Sequence, residues 1–544
     1  MLVQLNNLTR PLIPFLALIS FVALIVACCC NRAHIKAFLS TINKRTWLVL
    51  AAIFFLALAM RLVIPSKEHI MYIDEAWYME AAKNMLETGS QGAYPKSIGW
   101  PFVLVAAFAF FGVNNWVAIY TSLVFGALTV ISIFLMTFAI TRRKDFALMA
   151  AFFISFFPAH IRWSAAAETN VVSLFFITLA IFFSFLYYRV LKRSLLWLAI
   201  VAIAFTCQFR PENYMLPFLF LAGCVIFEPN FFKKKHFLPL LPWVLFVLLV
   251  GADFIQAFRG FYAFNWVESA TRGKLSGSNL GVDNLYYNSF HFSRYFINGY
   301  FQPVILGFFI LIGAIRMFAR NRREWIFLAL WFCALYVIYF SYCFLILGAI
   351  GVIHKARFFM MFYPVTLIFA CFGIDWVKGW FRGAHMQKIA LAVVLVVLTV
   401  AFIPYSWQAS RWYADSAQLL ETKIPELIKK DLPCDCIIIA NWPTVLRSTT
   451  DFDIVDIKDF LDDEQLQRDI LSSGRKALFF KDILCYFTGW DLEKCRCQRM
   501  DAEFLMKPFL SYREKETKFT FYEIIGMPNR EKVGSCVANN FNGN

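Results

Sequence analysis

Long apolar runs are the feature of this sequence that most restricts its fold. Roughly twelve of them follow one another along the first 405 residues, with few charged side chains in their middles. A helix of about 20 apolar residues is long enough to cross the hydrocarbon core of a bilayer. The runs lie at 11–30, 46–64, 114–140, 146–163, 168–190, 195–209, 211–228, 238–258, 302–319, 325–344, 357–377 and 388–405, the two around Arg210 being short. The sequence therefore predicts a polytopic α-helical membrane protein.

Composition and charge agree with this fold class. The chain has 544 residues, of which 60% are hydrophobic, 16% are charged and 63 are Phe. Soluble domains contain about 25% charged residues. The net charge of +16 would also suit a nucleic-acid-binding protein. However, the basic residues form short clusters between apolar runs, as in the cytoplasmic loops of membrane proteins, so no nucleic-acid partner is expected.

The first run, 11–30, has two interpretations. Arg10 precedes it and small residues end it, as in a cleaved signal peptide. Its apolar stretch is too long for a typical signal, and the three cysteines Cys28, Cys29 and Cys30 make a poor cleavage site. We expect an uncleaved membrane span, so that residues 1–45 form an extra helix and a cytoplasmic loop.

Basic clusters predict the orientation of the spans. They occur in every second connection: Arg32, Lys36, Lys44 and Arg45; Arg142, Arg143 and Lys144; Arg189, Lys192 and Arg193; Lys233, Lys234 and Lys235; Arg316, Arg320, Arg322 and Arg323; and Lys378, Arg382 and Lys388. Loops of this kind face the cytoplasm. The connections 65–113, 160–168, 209–215, 259–300 and 345–357, and everything after about 406, then face outward. We expect a multi-pass protein of the plasma or inner membrane whose polar groups gather at its extracytoplasmic face.

Residues 406–544 differ from the transmembrane part, 46–405, and read as a small extracytoplasmic α/β domain. Segment 406–430 has helical spacing and 462–472 reads as a polar helix, whereas CIIIAN (436–441), KALFF (476–480) and FTFYEII (519–525) read as strands. This alternation predicts a partly parallel sheet.

Six cysteines lie in this domain, and they leave three interpretations open. They are Cys434, Cys436, Cys485, Cys495, Cys497 and Cys536. Outside the cytoplasm, disulfides are the first interpretation. The CDC and CRC pairs could instead bind zinc, although their spacing is not the usual two-residue gap. Free buried thiols are the third.

The sharpest local motif is YIDEAWYMEAAKNMLETG, residues 72–89, in the first outer loop. Asp74 precedes a run with apolar side chains on one helical face, and Gly89 would end that helix. Asp74 could simply be an N-cap residue, because aspartate accepts backbone N–H bonds there. That role is compatible with a chemical one, since the helix dipole keeps the carboxylate ionised. A second helix, 99–112, is too short to span and is expected to lie in the interface.

This motif resembles the acidic Asp-Glu motif of the GT-C glycosyltransferases, in the branch of the protein mannosyltransferases and lipid A aminoarabinose transferases. The order of elements through PKSIGWPFVLVAAFAFFGVNN, the basic turn TRRK and the span that ends near Pro158 is similar to that branch. FRPE (209–212) and ARFFMMFYP (356–364) resemble two later landmarks. The resemblance covers roughly residues 46–380.

The resemblance implies a GT-C-like fold of about twelve transmembrane helices. It also implies transfer of a sugar from a polyprenyl-phosphate donor to an acceptor hydroxyl, with inversion, at the outer face. Such a displacement needs one base, and a phosphate leaves without a general acid if cations stabilise it. Asp74 is then the base and Glu75 its neighbour or a second contact to the acceptor, which is a lipid, a glycan or a protein.

Glu168 matches the second acidic position of the family. This chain has Ala165, Ala166 and Ala167 where family members often carry an Arg, and Arg162 is a candidate substitute. A solvated helix start is the other interpretation of Glu168.

His354, Lys355 and Arg357 form the densest outer basic group and are candidates to bind the donor phosphate. They could equally be interfacial residues that reach toward lipid headgroups. Arg210 is a further candidate, or only the partner of Glu212. A divalent metal between Asp74 and Glu168 is conceivable, but the resemblance implies no metal requirement and no other cofactor.

Two other function classes compete with an enzyme. A transporter or lipid flippase, with the tail as an extracytoplasmic binding domain, would place ionisable residues near the bilayer midplane and often shows inverted repeats. Asp253 and Asp375 instead lie toward span ends. A receptor or assembly scaffold would leave the outer polar cluster without a purpose.

Overall fold

The computed structural model describes residues 10–65, 73–92, 96–228, 243–255, 285–286, 289, 304–340, 357–418, 424–441, 443, 446–447, 450–482, 485, 491–514 and 517–527. The chain divides into two compact units. The first comprises Met1–Lys67, Tyr78–Ala263 and Asn279–Ala414, and the second comprises Glu68–Trp77, Phe264–Ser278 and Asp415–Asn544. The domain limits expected above, 1–45, 46–405 and 406–544, stay predictions.

Each predicted apolar run contains a helix. In chain order the helices are α1 (Ile13–Cys30), α2 (Arg32–Ser40), α3 (Lys44–Val63), α4 (Ile73–Thr88), α5 (Gly99–Phe111), α6 (Asn115–Thr141), α7 (Lys144–Phe156), α8 (Pro158–Ser164), α9 (Thr169–Val190), α10 (Arg193–Cys207), α11 (Leu216–Phe227), α12 (Trp243–Ile255), α13 (Val304–Arg320), α14 (Arg322–Phe340), α15 (Tyr363–Lys378) and α16 (Ala384–Gln418). A 3₁₀ turn, Pro211–Met215, precedes α11.

Seven of these helical segments are long and apolar enough to cross a membrane: Ile13–Cys30, Lys44–Val63, Asn115–Thr141, Thr169–Val190, Arg322–Phe340, Arg357–Lys378 and Ala384–Gln408. The pair α7 and α8 makes an eighth if it counts as one broken span. The shorter apolar helices α10, α11 and α12 occupy three further runs, and α5 is a short apolar helix within the connection 65–113. The chain is a multi-pass membrane protein, as predicted.

Two glycines bring α13 and α15 into backbone contact. A Cβ added to Gly313 would lie 1.6 Å from the carbonyl oxygen of Phe369. One added to Gly373 would lie 2.0 Å from that of Phe309. Small residues permit this close approach between membrane helices, where packing replaces the hydrophobic effect as the driving force. The packing holds α15, whose N-terminal extension begins at Arg357.

The span that contains α7 and α8 is broken at Phe157. The two helices meet at 63°. Phe157 has an extended backbone, and Pro158 is the first residue of α8. Proline lacks the N–H that would continue the helical hydrogen bonds, so a bend at this point is expected.

The second unit contains a five-stranded sheet. It continues along the chain from α16 as α17 (Ile424–Asp431), β1 (Cys436–Ala440), β2 (Asp453–Asp456), α18 (Ile457–Asp462), α19 (Glu464–Ser472), β3 (Lys476–Lys481), α20 (Asp491–Glu503), β4 (Leu505–Glu514) and β5 (Thr517–Gly526). The strand order is β2-β1-β3-β5-β4. β1 pairs in parallel with β2 and β3, and the pairs of β5 with β3 and β4 are antiparallel. The prediction of a small α/β domain with a partly parallel sheet is confirmed.

Both faces of this sheet are covered. Ile438 and Phe480 belong to one apolar core, whereas Ile439 and Phe479 belong to the core on the opposite face. Because successive side chains of a strand point to opposite faces, β1 is buried along its whole length. This explains why CIIIA is continuously apolar.

The structure corrects one expectation about the tail and confirms another in part. The helix expected over 406–430 is the end of α16, which runs to Gln418 through Pro404, followed by the separate α17. Among the cysteines, Cys485 and Cys497 form a disulfide and Cys495 is also disulfide-bonded. Cys434 and Cys436 are free thiols; Cys536 lies outside the described residues.

Candidate active site

The two acidic residues of the first motif lie in the first turn of α4. Asp74 is half-buried and Glu75 is buried. Because α4 begins at Ile73, Asp74 lies one residue inside the helix rather than at its N-cap. A carboxylate in a first turn is stabilised by the N-terminal end of the helix dipole. Both residues belong to the segment Glu68–Trp77, which groups with the second unit.

Glu168 is buried and forms an ion pair with Arg357. Its side chain is only 2% exposed and that of Arg357 is 8% exposed. Glu168 precedes α9 but does not cap it with its side chain. The interpretation of Glu168 as a solvated helix start is therefore wrong. Its Oε1 accepts a hydrogen bond from Arg357 Nη1, and its Oε2 accepts one from Asn170 Nδ2 at 3.1 Å.

Arg210 forms a second buried ion pair, with Glu212. Arg210 Nε lies 3.1 Å from Glu212 Oε2, and Arg210 Nη2 lies 2.8 Å from Glu212 Oε1. Parallel bonds of this kind are the strongest geometry for an Arg–carboxylate pair. Arg210 Nη1 also donates to Asn170 Oδ1. The partner expected for Arg210 is confirmed, whereas the phosphate role stays a prediction.

Asn170 joins these two pairs into one chain of hydrogen bonds. Its amide nitrogen donates to Glu168 and its amide oxygen accepts from Arg210. The order is Arg357, Glu168, Asn170, Arg210 and Glu212, and we call these five residues the buried polar cluster. The cluster joins three parts of the chain: the start of α9, the start of the 3₁₀ turn and the N-terminal extension of α15.

Aromatic rings surround the arginines of the buried polar cluster. The Cζ atom of Arg357 lies 4.9 Å from the ring centroid of Phe358 and 5.4 Å from that of Trp163. The Cζ atom of Arg210 lies 5.4 Å from the Phe358 ring. A guanidinium over an aromatic face is stabilised electrostatically, more so where water is excluded. Both guanidinium groups therefore pack against aromatic rings.

The charges of the buried polar cluster balance. Arg357 and Arg210 contribute two positive charges, and Glu168 and Glu212 contribute two negative ones. Burial works to lower the pKa of Arg210, but the Glu212 carboxylate outweighs burial and raises it. Burial works to raise the pKa of Glu212, but Arg210 outweighs it and lowers that pKa. This pair is therefore ionised at ordinary pH.

The structure brings together three of the predicted site residues, Glu168, Arg210 and Arg357. His354 and Lys355 lie outside the described residues. Sequence reasoning missed Asn170, although its position two residues after a candidate acid was a usable signal. It also missed Trp163, because an aromatic residue at the end of an apolar run is commonplace in this chain.

The region that contains most of the buried polar cluster is similar to known proteins. Residues 95–253 match the sequence model of a family described as dolichyl-phosphate-mannose-protein mannosyltransferase. That range includes all of the buried polar cluster except Arg357. An uncharacterized protein of Aquifex aeolicus is 26% identical over 292 residues, which are 49% of this chain and 54% of that protein. The match thus spans about half of the length of that relative.

Solved structures show the same fold over most of the chain. The crystal structure of ArnT from Cupriavidus metallidurans bound to undecaprenyl phosphate matches with a TM-score of 0.59 at 14% identity, covering 88% of this chain and 98% of that chain. The apo form of that ArnT matches with a TM-score of 0.53 at 13% identity, covering 88% and 97%. At such identities the likeness concerns the fold. The chain thus matches the mannosyltransferase family model over residues 95–253 and shares its fold with ArnT, which confirms its resemblance to the GT-C glycosyltransferases.

Proposed function

We propose that this protein is an inverting glycosyltransferase that moves a sugar from a polyprenyl-phosphate donor to an acceptor hydroxyl at the extracytoplasmic membrane face. The buried polar cluster is the observation that carries this proposal. It holds two arginines against carboxylates and aromatic rings, on a fold shared with a protein that has been crystallised with undecaprenyl phosphate. Preorganised cations are what a departing phosphate requires.

The reaction is a single displacement. The acceptor oxygen attacks the anomeric carbon from the face opposite the phosphate, and the bond from that carbon to the phosphate oxygen breaks. The acceptor proton passes to the carboxylate of Asp74, with Glu75 as a second contact to the acceptor. Polyprenyl phosphate leaves with the bonding electrons. One displacement inverts the anomeric centre, and no general acid is needed because phosphate is a good leaving group.

Arg357 and Arg210 are the proposed contacts to the donor phosphate, together with His354 and Lys355 from the adjoining segment. Since Glu168 and Glu212 already occupy one side of each guanidinium, we assign these carboxylates to holding the arginines in place. This assignment gives Glu168 a positioning role beside its predicted contact to the acceptor. Arginine keeps several donors available, so one guanidinium can serve a carboxylate and a phosphate together.

Two features support the extracytoplasmic placement of the chemistry. Basic clusters occupy every second connection, and the alternate connections contain the site residues. The second unit contains the Cys485–Cys497 disulfide, and disulfides persist in oxidising compartments.

The proposal is tested with purified protein and a polyprenyl-phosphate donor that carries a radiolabelled sugar. We expect release of polyprenyl phosphate by the natural sequence and its loss in Asp74→Asn. Glu80→Gln is the matched control, because Glu80 is an exposed carboxylate on the same helix. Full release by Asp74→Asn would overturn the assignment of the base. Movement of the intact lipid-linked sugar across vesicles, without release, would favour the transporter instead.

A further inference from the structure

Arg61 is a fully buried arginine in the apolar helix α3. Its Nη1 donates to the carbonyl oxygens of Ala57 at 2.9 Å and Ser155 at 3.4 Å. Its Nη2 donates to the carbonyl oxygen of Ile154 at 3.2 Å. The reaction proposed above gives this residue no role, yet a buried guanidinium is expensive unless its hydrogen bonds are made.

The break between α7 and α8 explains the carbonyl partners. In an unbroken helix the N–H of residue 158 would donate to the carbonyl of Ile154, but Pro158 has no N–H. The bend also removes Ser155 from the helical pattern. Arg61 supplies donors to both carbonyls. Its positive charge lies at the C-terminal end of α7, where the helix dipole favours a cation.

Arg61 also holds the helix on the other side of the break. Its Nη2 lies 2.7 Å from His160 Nδ1, and its Nε lies 3.2 Å from Ser164 Oγ. Because the guanidinium can only donate, His160 must accept through Nδ1 and carry its proton on Nε2. Gly126 of α6 leaves room for Ser164, because a Cβ on that glycine would lie 2.3 Å from Ser164 Oγ. Through His160 and Ser164, the first and last turns of α8 are both hydrogen-bonded to Arg61 of α3.

α8 leads directly into the buried polar cluster. It carries Trp163, whose ring lies against the Arg357 guanidinium at 5.4 Å. The following segment is held by Trp100 Nε1, which donates to the carbonyl oxygen of Ala167 at 2.7 Å. Glu168, the partner of Arg357, is the next residue. The position of α8 thus sets two of the contacts that orient Arg357.

We propose that Arg61 is a positioning residue for the donor-phosphate site: it bridges the broken span and thereby places Trp163 and Glu168 around Arg357. The inference rests on the proposed function, because it assigns the phosphate to Arg357. Within the described part of the chain the partners of Arg61 are three carbonyls, a hydroxyl and an imidazole, so no carboxylate cancels its charge.

Steady-state kinetics of Arg61→Met with the polyprenyl-phosphate donor test this role. We expect the donor KM to rise by about ten-fold or more, since several hydrogen bonds to a charged group are lost, with a smaller change in kcat. Arg61→Lys should recover only part of the affinity, because an ammonium cannot reach both carbonyls, His160 and Ser164 together. Arg45→Met is the control, an exposed arginine on the same helix, and should leave KM unchanged.

A double-mutant cycle with Arg357→Met separates positioning from general damage. If Arg61 acts through Arg357, its substitution should add little to the donor KM once Arg357 is gone. An undiminished ten-fold effect of Arg61→Met in that background would overturn the inference.

Hydrogen exchange of the full chain provides a readout that needs no activity. Arg61→Met should raise amide exchange in residues 158–168 and leave α13 and α15 unchanged, whereas unchanged exchange in 158–168 would also overturn the inference. If the natural sequence releases no polyprenyl phosphate, the proposed function fails, and the exchange experiment still decides whether Arg61 holds this segment.

Discussion

The carboxylate of Glu168 and the guanidinium of Arg357, which are 189 residues apart in the chain, form an ion pair in which both side chains are buried. Each of these charges would be unfavourable in that environment without the other. Attraction between buried charges roughly offsets the cost of removing them from water, so the pair adds little net stability, whereas breaking it is costly.

Glu168→Gln should therefore destabilise the protein by about 3–5 kcal/mol, because it leaves the Arg357 charge buried and uncompensated. Thermal unfolding in detergent measures the change. Glu324→Gln is the matched control, since Glu324 pairs with Arg189 at 3.3 Å in a more exposed position and should cost about 1 kcal/mol or less. The double substitution Glu168→Gln with Arg357→Met should recover much of the loss; a double variant no more stable than Glu168→Gln would contradict this explanation.

Gly373→Ala should prevent close packing of α13 and α15, because its Cβ would lie 2.0 Å from the carbonyl oxygen of Phe309. Backbone atoms cannot move aside as a flexible side chain can, so we expect a loss of about 3 kcal/mol or more. Gly251→Ala provides the comparison, since its nearest neighbour would be a Val247 side-chain carbon at 4.0 Å. Yield of monodisperse protein and its thermal midpoint measure both variants. Equal stability of the two would show that the helices are free to separate.

Cys434 and Cys436 should differ in their reaction with alkylating reagents, because Cys434 is exposed and Cys436 is buried. Burial raises the pKa of Cys436 from 9.0 to about 11, and only the thiolate is nucleophilic. Mass spectrometry after alkylation at neutral pH should find Cys434 labelled and Cys436 unlabelled until the protein unfolds. Since the folded pKa lies above the unfolded one, Cys436 favours folding below about pH 9, and this contribution declines between about pH 9 and 11.

The same thiol reports the orientation of the tail. A membrane-impermeant maleimide applied to intact cells should label Cys434 if residues 406–544 are extracytoplasmic. A cysteine introduced as Lys144→Cys, in a predicted cytoplasmic turn, should be labelled only after the cells are opened. The reverse pattern would place the tail in the cytoplasm and would contradict the predicted topology.

Pro158→Ala should partly rescue Arg61→Met. The new N–H at position 158 can donate to the carbonyl of Ile154, which loses its partner when Arg61 is removed. We expect the double variant to regain about 1–2 kcal/mol of thermal stability over Arg61→Met alone. Pro364→Ala, near the start of α15, provides a control, because a proline in the first turn replaces no helical hydrogen bond. A double variant less stable than either single one would show that the bend itself is required.

Apolar runs predicted the helices well because membrane spans need length and hydrophobicity, and both can be read locally. The ends of the helices were less predictable. α16 continues to Gln418 because a change from apolar to polar residues marks the edge of a bilayer without ending a helix. Strand β2 was not predicted because its four residues are too few to show the alternation of apolar and polar side chains. Strand β4 was not predicted because Pro508 interrupts that alternation, at a point where the structure has a register shift.

The candidate site was predictable in its components and not in its connections. Sequence reasoning selected Glu168, Arg210 and Arg357 as separate candidates for an acceptor contact and a phosphate contact. It did not predict that Glu168 and Arg357 form an ion pair, because these residues are 189 positions apart and only the packing of the helices brings them into contact. Arg61 was not selected because it lies near the end of the apolar run 46–64, and nothing near it in the sequence shows that it is buried.

The hydrogen bonds around the broken span also have an evolutionary consequence. Without the bend, the buried arginine at position 61 would lose two of its acceptors, the carbonyls of Ile154 and Ser155, and proline at 158 without the arginine would leave a carbonyl unsatisfied. Neither substitution is easily reached alone, so the two positions form a linked character that a lineage gains or loses together. Among diverged chains of this fold, we expect Arg at 61 to accompany Pro at 158, and an uninterrupted helix to accompany an apolar residue at 61.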